Sequence, residues 1–167
     1  YEITKSEIGE FDIIMMRDVI EHIVNQEKFL AFIKQFLKED GVIFFGFPPW
    51  QMPFGGHQQV ADTKLVQRLP YIHLLPLKIY TSILRKSGES ESKIAALLDI
   101  RKTGISIERF KKAVKNAGYK FEDITPYFIN PNYEIKFNLK PRKKIPIIGD
   151  IPYIRNFGNT CIYAVIS

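Results

Sequence analysis

The chain has 167 residues, of which 46% are hydrophobic and 25% are charged. This length and composition fit one domain with a substantial core and exclude general disorder. The net charge of +6 is moderate, and the single cysteine, Cys161, excludes an internal disulfide framework and favours a reducing, cytoplasmic environment. No run of 18 apolar residues occurs, so the sequence predicts no transmembrane segment.

Two apolar runs flank a helical segment near the start of the chain. Residues 11–16 (FDIIMM) and 42–47 (VIFFGF) lack polar alternation, which is typical of strands covered on both faces. A helical stretch is expected to start at Asp18, and apolar residues recur at helical spacing from Glu27 to Lys38. Gly41 is expected to end this helix as a left-handed cap. Strand, helix and strand predict a βαβ unit with parallel strands.

The middle of the chain is predicted to be a loop followed by a helical insertion. Residues 48–56 (PPWQMPFGG) contain too much Pro and Gly for a helix or a central strand, so they form a loop at the carboxyl end of a strand. Ligands of open α/β sheets bind at that edge. Helices are expected at 61–69, 75–86 and 90–101, which makes residues 61–101 a helical insertion, either a lid or an acceptor cap.

The last third is predicted to return to the sheet. Ser106 is a plausible N-cap for a helix closed by Gly118, and strands are expected at 121–129, 133–139 and 160–166. Five basic residues fall within residues 136–144. They suit phosphates or an anionic membrane surface, or simply form a solvated loop. The solvated loop is the preferred interpretation, and nucleic acid is disfavoured because no base-stacking motif accompanies the cluster.

Residues 11–23 (FDIIMMRDVIEHI) and 36–48 (FLKEDGVIFFGFP) resemble the fourth strand, following helix and fifth strand of class I S-adenosylmethionine-dependent methyltransferases. Residues 106–129 resemble the last helix and sixth strand of that family, and residues 157–167 its antiparallel seventh strand. The resemblance implies an α/β fold: the C-terminal part of a Rossmann-like, doubly wound methyltransferase sheet. Residues 1–167 are expected to form one domain that carries the insertion at 61–101.

Two elements of the family pattern have no counterpart in this sequence. The Gly-rich turn after the first strand and the acidic residue after the second are expected to lie before Tyr1. The chain is therefore interpreted as a fragment that binds S-adenosylmethionine weakly on its own. An exposed apolar edge strand is expected to favour a homo-oligomer.

The spacing of Asp18, Glu21 and His22 would put all three side chains on one face of a helix. It resembles the Glu-x-x-Glu-His of ubiquinone-biosynthesis O-methyltransferases and small-RNA 3′-end methyltransferases, in which a cation holds two substrate oxygens. These three residues, with His57 as a fourth ligand, are the candidate site for a divalent cation such as Mg²⁺ or Zn²⁺. The alternative is structural: a helix N-cap, a surface carboxylate and a hydrogen-bonded histidine.

The resemblance also implies residues that hold the cofactor and the acceptor. Met16 and Arg17 occupy positions that line the methionine portion of S-adenosylmethionine in the family, and Asp18 is a further candidate cofactor-binding residue. His57 is an alternative general base toward an acceptor hydroxyl. An apolar acceptor pocket is expected to be walled by Trp50, Met52 and Phe54, although Trp50 and Phe54 are equally suited to pinning the loop to the core. His73, in an apolar setting, is expected to be structural.

These features together predict an enzyme. The expected reaction is methyl transfer from S-adenosylmethionine to a small, partly apolar acceptor, as O-methylation. The alternative is a catalytically inactive methyltransferase-like module for binding or assembly, because the cofactor site of this chain is incomplete.

Overall fold

The structure is a computed structural model that describes residues 3–167. Within this range one sheet contains five strands: β1 (Phe11–Arg17), β2 (Leu37–Phe47), β3 (Phe121–Ile129), β4 (Arg142–Lys143) and β5 (Cys161–Ile166). The α-helices of this range are α1 (Lys5–Ile8), α2 (Gln26–Ile33), α3 (Lys64–Arg68), α4 (Leu77–Lys86), α5 (Glu91–Thr103), α6 (Ile107–Asn116), α7 (Asn132–Phe137) and α8 (Arg155–Gly158). None of them is long and apolar enough to cross a bilayer.

The strands follow the order β1-β2-β5-β3-β4 across the sheet. β1 and β2 are parallel neighbours, which confirms the predicted βαβ unit. β5 is antiparallel to both β2 and β3, which confirms the predicted antiparallel last strand. The result is a mixed α/β architecture, in agreement with the Rossmann-like fold class expected from the sequence.

The loops that carry the predicted site residues lie at one end of the sheet. Arg17 at the end of β1 pairs with Gly46 near the end of β2. Cys161 at the start of β5 pairs with Tyr127 near the end of β3. The chain therefore leaves β1, β2 and β3, and enters β5, at the same end, which we call the carboxyl pole. In open α/β sheets this end is where ligands bind.

The main core lies between the sheet and helices α2 and α6. Ile43, Phe45 and Phe47 alternate along β2 and are fully buried on the same side of the sheet. The ring of Phe110 from α6 packs 5.2 Å from the ring of Phe45 and 4.8 Å from that of Phe47. Ser106 is the N-cap of α6, where its hydroxyl accepts a hydrogen bond of 3.0 Å from the backbone N–H of Arg109, as the sequence predicted.

The helical insertion has a small core of its own. Helices occur within residues 61–101 as predicted, and α5 continues to Thr103. Their buried side chains form a second cluster: Ala61, Val66, Ile72, Tyr80, Leu84, Ile94 and Leu97. Glu89, between α4 and α5, is bonded to the residues just before α3. Its carboxylate accepts hydrogen bonds from the backbone N–H groups of Asp62 at 2.7 Å and Thr63 at 2.9 Å. These bonds satisfy donors at the start of α3.

Three sequence predictions about local structure are wrong. No helix starts at Asp18, because the chain forms only a 3-10 turn at Ile20–His22 before α2 begins. Gly41 is not a helix cap: parallel pairing with β1 extends β2 back to Leu37, and a Cβ on Gly41 would lie 3.0 Å from the Phe11 carbonyl oxygen.

The third wrong prediction concerns residues 133–139, which were expected to form a strand. The segment contains helix α7 instead. The backbone N–H of Asn132 donates to the Asn130 side chain at 2.9 Å, and Asn138 ends the helix in a left-handed conformation with φ 55°. Local side-chain and turn preferences thus outweigh the apolar and β-favouring residues of this segment.

β1 forms an edge of the sheet, and one face of it is not covered. The side chains of Ile13 and Met15 are 61% and 73% exposed, whereas Ile14 and Met16 pack against the main core. An edge strand with exposed apolar residues offers unpaired backbone groups to another strand.

The loop after β2 is fixed by Trp50. Its backbone N–H donates to the Ile105 carbonyl at 2.8 Å, and its carbonyl lies 2.7 Å from Nε2 of the buried His73. The indole covers Gly104 so closely that an added Cβ would lie 2.6 Å from the ring. The other nitrogen of His73, Nδ1, lies 3.0 Å from Nε2 of Gln58. His73 is therefore structural, as predicted, since it joins the loop to the helical insertion.

We expect Gly104→Ala to destabilise the protein by about 1–3 kcal/mol, because the new methyl group overlaps the Trp50 ring and the loop must move. Denaturant unfolding measures this change. Gly158→Ala is the matched control, because a Cβ there meets no atom within 4 Å. Equal losses in the two variants would contradict the packing of Trp50 on Gly104.

We expect protein stability to fall with acidification through the titration of His73. Burial lowers the pKa of His73 to about 4, so the neutral ring is favoured in the folded state. The resulting stability is complete above the unfolded pKa of about 6.5 and is lost as the pH falls toward 4. Unfolding free energies across this window should depend less on pH in His73→Gln than in the wild type. A pH dependence in His73→Gln as steep as that of the wild type would reject this assignment.

Candidate functional site

Three side chains able to ligate a metal meet at the carboxyl pole. Glu21 and His22 lie in the 3-10 turn that follows β1, and His57 lies in the loop that follows β2. One ligand atom from each residue lies within 4.8 Å of the others. Since β1 and β2 are adjacent and parallel, the segments that leave them emerge side by side.

Glu21 is the most unusual side chain of this group. The residue is only 4% exposed, and both of its carboxylate oxygens lack a hydrogen-bond partner among the described residues. Burial, helped by the charge of Asp18, raises the pKa of Glu21 to about 7. A buried carboxylate without a partner is costly, so this position suits a ligand that supplies positive charge or hydrogen-bond donors.

The two imidazoles lie edge to face beside Glu21. Their ring centroids are 5.0 Å apart, with an angle of 69° between the planes. Burial, and secondly the neighbouring His22, lower the pKa of His57, although Asp18 acts in the opposite direction. His57 is therefore neutral at pH 7, the form that ligates a cation or accepts a proton.

The backbone of His57 is set by two consecutive turns. Its N–H donates to the Phe54 carbonyl and its carbonyl accepts from the Val60 N–H, both at 3.0 Å. Its left-handed conformation, with φ 56°, is uncommon for a residue with a side chain. Gly55 and Gly56, just before His57, have no side chains and allow close packing at this point. A Cβ on Gly56 would lie 2.3 Å from the Cβ of His73.

Asp18 does not share a helix with Glu21 and His22, so the predicted single helical face is wrong. Asp18 ends β1 in a left-handed conformation with φ 54°, and its N–H donates to the Gly46 carbonyl at 2.7 Å. The sharp turn at the strand end prevents a helix from starting there. Its carboxylate is exposed, lies 3.8 Å from Nε of Arg17 and is outside the group formed by Glu21 and the two histidines.

The other predicted site residues lie at the end of β1 or in the loop after β2. Met16 is half-buried against the main core, and Arg17 is exposed at the end of β1. Of the three residues expected to wall an acceptor pocket, Met52 is buried, whereas Trp50 and Phe54 are half-buried. Trp50 contacts Gly104 and His73, so pinning of the loop is the interpretation its contacts favour.

Sequence reasoning missed two features of the site. The first is the burial of Glu21 without a partner, which no residue pattern signals because Glu is normally exposed. The second is the support beneath His57, where Gln58 connects through His73 to the carbonyl of Trp50. The apolar surroundings of His73 were the available signal for this support.

Comparison with known proteins agrees with this architecture. No curated protein matches the chain. The family model for a methyltransferase domain matches residues 2–123, which include β1, β2, the helical insertion and the start of β3. Because this match covers more than half of the chain, the chain belongs to the methyltransferase domain family.

Proposed function

We propose that the chain transfers a methyl group from S-adenosylmethionine to a hydroxyl of a small, partly apolar acceptor, and that Glu21, His22 and His57 hold a divalent cation that binds this acceptor. The observation that carries the proposal is the buried, unpartnered carboxylate of Glu21 within 4.8 Å of two imidazoles. Such a constellation costs stability unless a cation compensates it.

The cofactor is implied by the family, and the residues at the end of β1 fit it. The exposed carboxylate of Asp18 can accept a hydrogen bond from an ammonium or hydroxyl group of S-adenosylmethionine. Met16 offers an apolar contact, and the stem of Arg17 is accessible beside it. When bound, S-adenosylmethionine supplies a methyl group already activated by its sulfonium, so the protein has to align the acceptor and accept one proton.

The donor set favours Zn²⁺ over Mg²⁺. Two imidazoles and one carboxylate are typical ligands of zinc sites that keep an open position, whereas Mg²⁺ prefers oxygen ligands and water. The open position would receive the acceptor oxygen, and a bound cation lowers the pKa of such an oxygen. The proposed ligand set leaves out Asp18, because its carboxylate is not among the ligand atoms that lie within 4.8 Å of one another.

His57 has a second candidate role as a general base. The observation that favours it is its lowered pKa, which keeps the ring neutral and able to accept a proton from an acceptor hydroxyl at pH 7. The two roles exclude each other at the same nitrogen. Chelation separates them, because only the cation role requires the metal.

Other parts of the molecule have roles that follow from this proposal. The insertion at residues 61–101 acts as a lid or acceptor cap, which is supported by its contact with the loop that carries His57. The uncovered edge of β1 supports strand pairing with a second copy of the chain. The free, buried thiol of Cys161 supports a cytoplasmic location.

We expect Glu21→Gln to raise the stability of the metal-free protein and to remove the stabilisation that added metal provides. In metal-free buffer at about pH 8 the substitution should stabilise the protein by about 1–2 kcal/mol, because folding then no longer buries an ionised carboxylate whose pKa is raised above its unfolded value. The gain is limited because the amide itself lacks partners. Toward pH 4.5 the wild type should recover most of this stability, since Glu21 is then protonated in the folded state and about half protonated in the unfolded state.

Addition of Zn²⁺ should raise the unfolding temperature of the wild type and leave that of Glu21→Gln unchanged. The exposed Glu39 provides the matched control, and Glu39→Gln should respond to Zn²⁺ like the wild type. Equal responses of all three proteins would reject the cation site.

We expect the protein to release S-adenosylhomocysteine from S-adenosylmethionine in the presence of hydroxylated aromatic acceptors. His22→Ala should lose this activity by about 100-fold while retaining its affinity for S-adenosylmethionine, since the cation holds the acceptor. Full activity of the wild type in strong chelator, together with an inactive His57→Ala variant, would assign His57 the role of general base in place of metal ligand. Binding of acceptor and S-adenosylmethionine without turnover would identify a non-catalytic module.

A further inference from the structure

The connection between β3 and β5 carries an unusual concentration of exposed apolar side chains. Of the 23 exposed large hydrophobic residues in the described part of the chain, ten lie in residues 135–157. The most exposed are Ile135 at 88%, Ile147 at 78% and Tyr153 at 70%. Exposed apolar surface concentrated in this way marks interaction sites in soluble proteins.

The same connection is strongly basic. Residues 130–158, which we call the basic–apolar segment, contain six Lys or Arg and two Asp or Glu, a net charge of +4. Asp150 is paired with Lys144, and Arg155 is paired with Glu108. Four other cations of the segment form no ion pair within the described residues: Lys136, Lys140, Arg142 and Lys143. Their charge is therefore available to an anionic partner.

The segment is fixed to the domain in its middle and near its C-terminal end. β4 pairs with β3, so Arg142 and Lys143 are held at the sheet edge. The carboxylate of Glu108 accepts hydrogen bonds from the Tyr153 N–H at 3.0 Å and from Nε of Arg155 at 2.9 Å. Four exposed isoleucines lie between these anchors and are thus presented outward by a supported loop: Ile145, Ile147, Ile148 and Ile151.

The chemistry of the exposed side chains distinguishes between possible partners. Six of the ten apolar residues are isoleucines and one is Leu139, so aliphatic side chains outnumber the three aromatic rings (Phe137, Tyr153 and Phe157) on which a nucleic-acid base could stack. Aliphatic side chains interleaved with cations match the boundary of an anionic bilayer, where the former enter the hydrocarbon region and the latter remain at the headgroups. We propose that the basic–apolar segment binds the surface of an anionic membrane.

The position of the segment connects this surface with the site. It leaves β3 and enters β5 at the carboxyl pole, where Glu21, His22 and His57 meet. A membrane bound there would present an acceptor dissolved in the leaflet that faces the protein to that pole. This consequence for the acceptor rests on the proposed function, whereas membrane binding itself does not.

The test is co-sedimentation of the protein with vesicles, with a vesicle-free sample to detect aggregation. Vesicles of phosphatidylcholine with an equal part of phosphatidylglycerol should bind the protein, and vesicles of phosphatidylcholine alone should bind it much more weakly. Binding should weaken as salt is added, since salt screens the attraction. Failure to sediment with anionic vesicles, or equal binding to both, would overturn the proposal.

Variants separate the two parts of the surface. Lys140→Gln with Lys143→Gln should weaken binding to the anionic vesicles by roughly 30-fold, about fivefold for each lysine. Ile135→Ser with Ile147→Ser should weaken it by at least about tenfold without changing net charge. The matched control is Lys115→Gln with Lys120→Gln, which removes the same charge from exposed positions at the opposite end of the sheet.

Two outcomes of these comparisons would refute a membrane surface. A control as weak as the lysine variant would mean that only net charge matters. Binding of single-stranded RNA that needs Lys140 and Lys143 but not the isoleucines, together with isoleucine-independent vesicle binding, would assign the segment to nucleic acid. Unchanged thermal unfolding of each variant would show that the substitutions act on the surface and not on the fold. None of these measurements requires methyl transfer. A failure of the membrane proposal can therefore be distinguished from a failure of the proposed methyltransferase function.

Discussion

The parallel pairing of β1 with β2 determines where the candidate functional side chains lie. It places the ends of two strands that are distant in sequence next to each other, with Arg17 opposite Gly46. Immediately beyond that pair, the Asp18 N–H donates to the Gly46 carbonyl and reverses the direction of the chain. Glu21 and His22 follow on one side and the loop to His57 on the other. A shift of this register by one residue would turn every side chain of β1 to the opposite face.

The loop after β2 keeps its half of the site in place through packing, not through regular structure. Trp50 is held by Ile105, Gly104 and His73, and His73 is in turn bonded to Gln58, the residue after His57. The position of His57 therefore depends on the helical insertion from which His73 comes. A movement of the insertion would move the imidazole of His57 relative to Glu21. The proposed closure of the insertion over an acceptor would therefore change the geometry of the site.

Sequence reasoning predicted the elements whose signal is local and repeated. The apolar runs of β1 and β2 and the cap at Ser106 needed only neighbouring residues to be recognised. It failed where tertiary pairing decides, as at Gly41, which lies inside a strand because β1 pairs alongside it. For the site it proposed Glu21, His22 and His57, whose ligand atoms the fold brings within 4.8 Å of one another, and it placed Asp18 on the same helical face because it assumed a helix at a strand end. The unpartnered burial of Glu21 depends on contacts that no spacing encodes.

The carboxyl pole combines features that each reduce the stability of the isolated chain. Glu21 is buried without a partner, His57 and Asp18 adopt left-handed backbones, and the basic–apolar segment exposes aliphatic side chains to water. The opposite end of the sheet has a more conventional arrangement, in which Lys120, just before β3, and Ser167, just after β5, pair by backbone hydrogen bonds. Local violations of folding rules that concentrate at one end are typical of a functional surface. A cation at Glu21 and a membrane at the basic–apolar segment would each relieve one of these costs, because each supplies the charge or the apolar contact that the fold leaves unmatched.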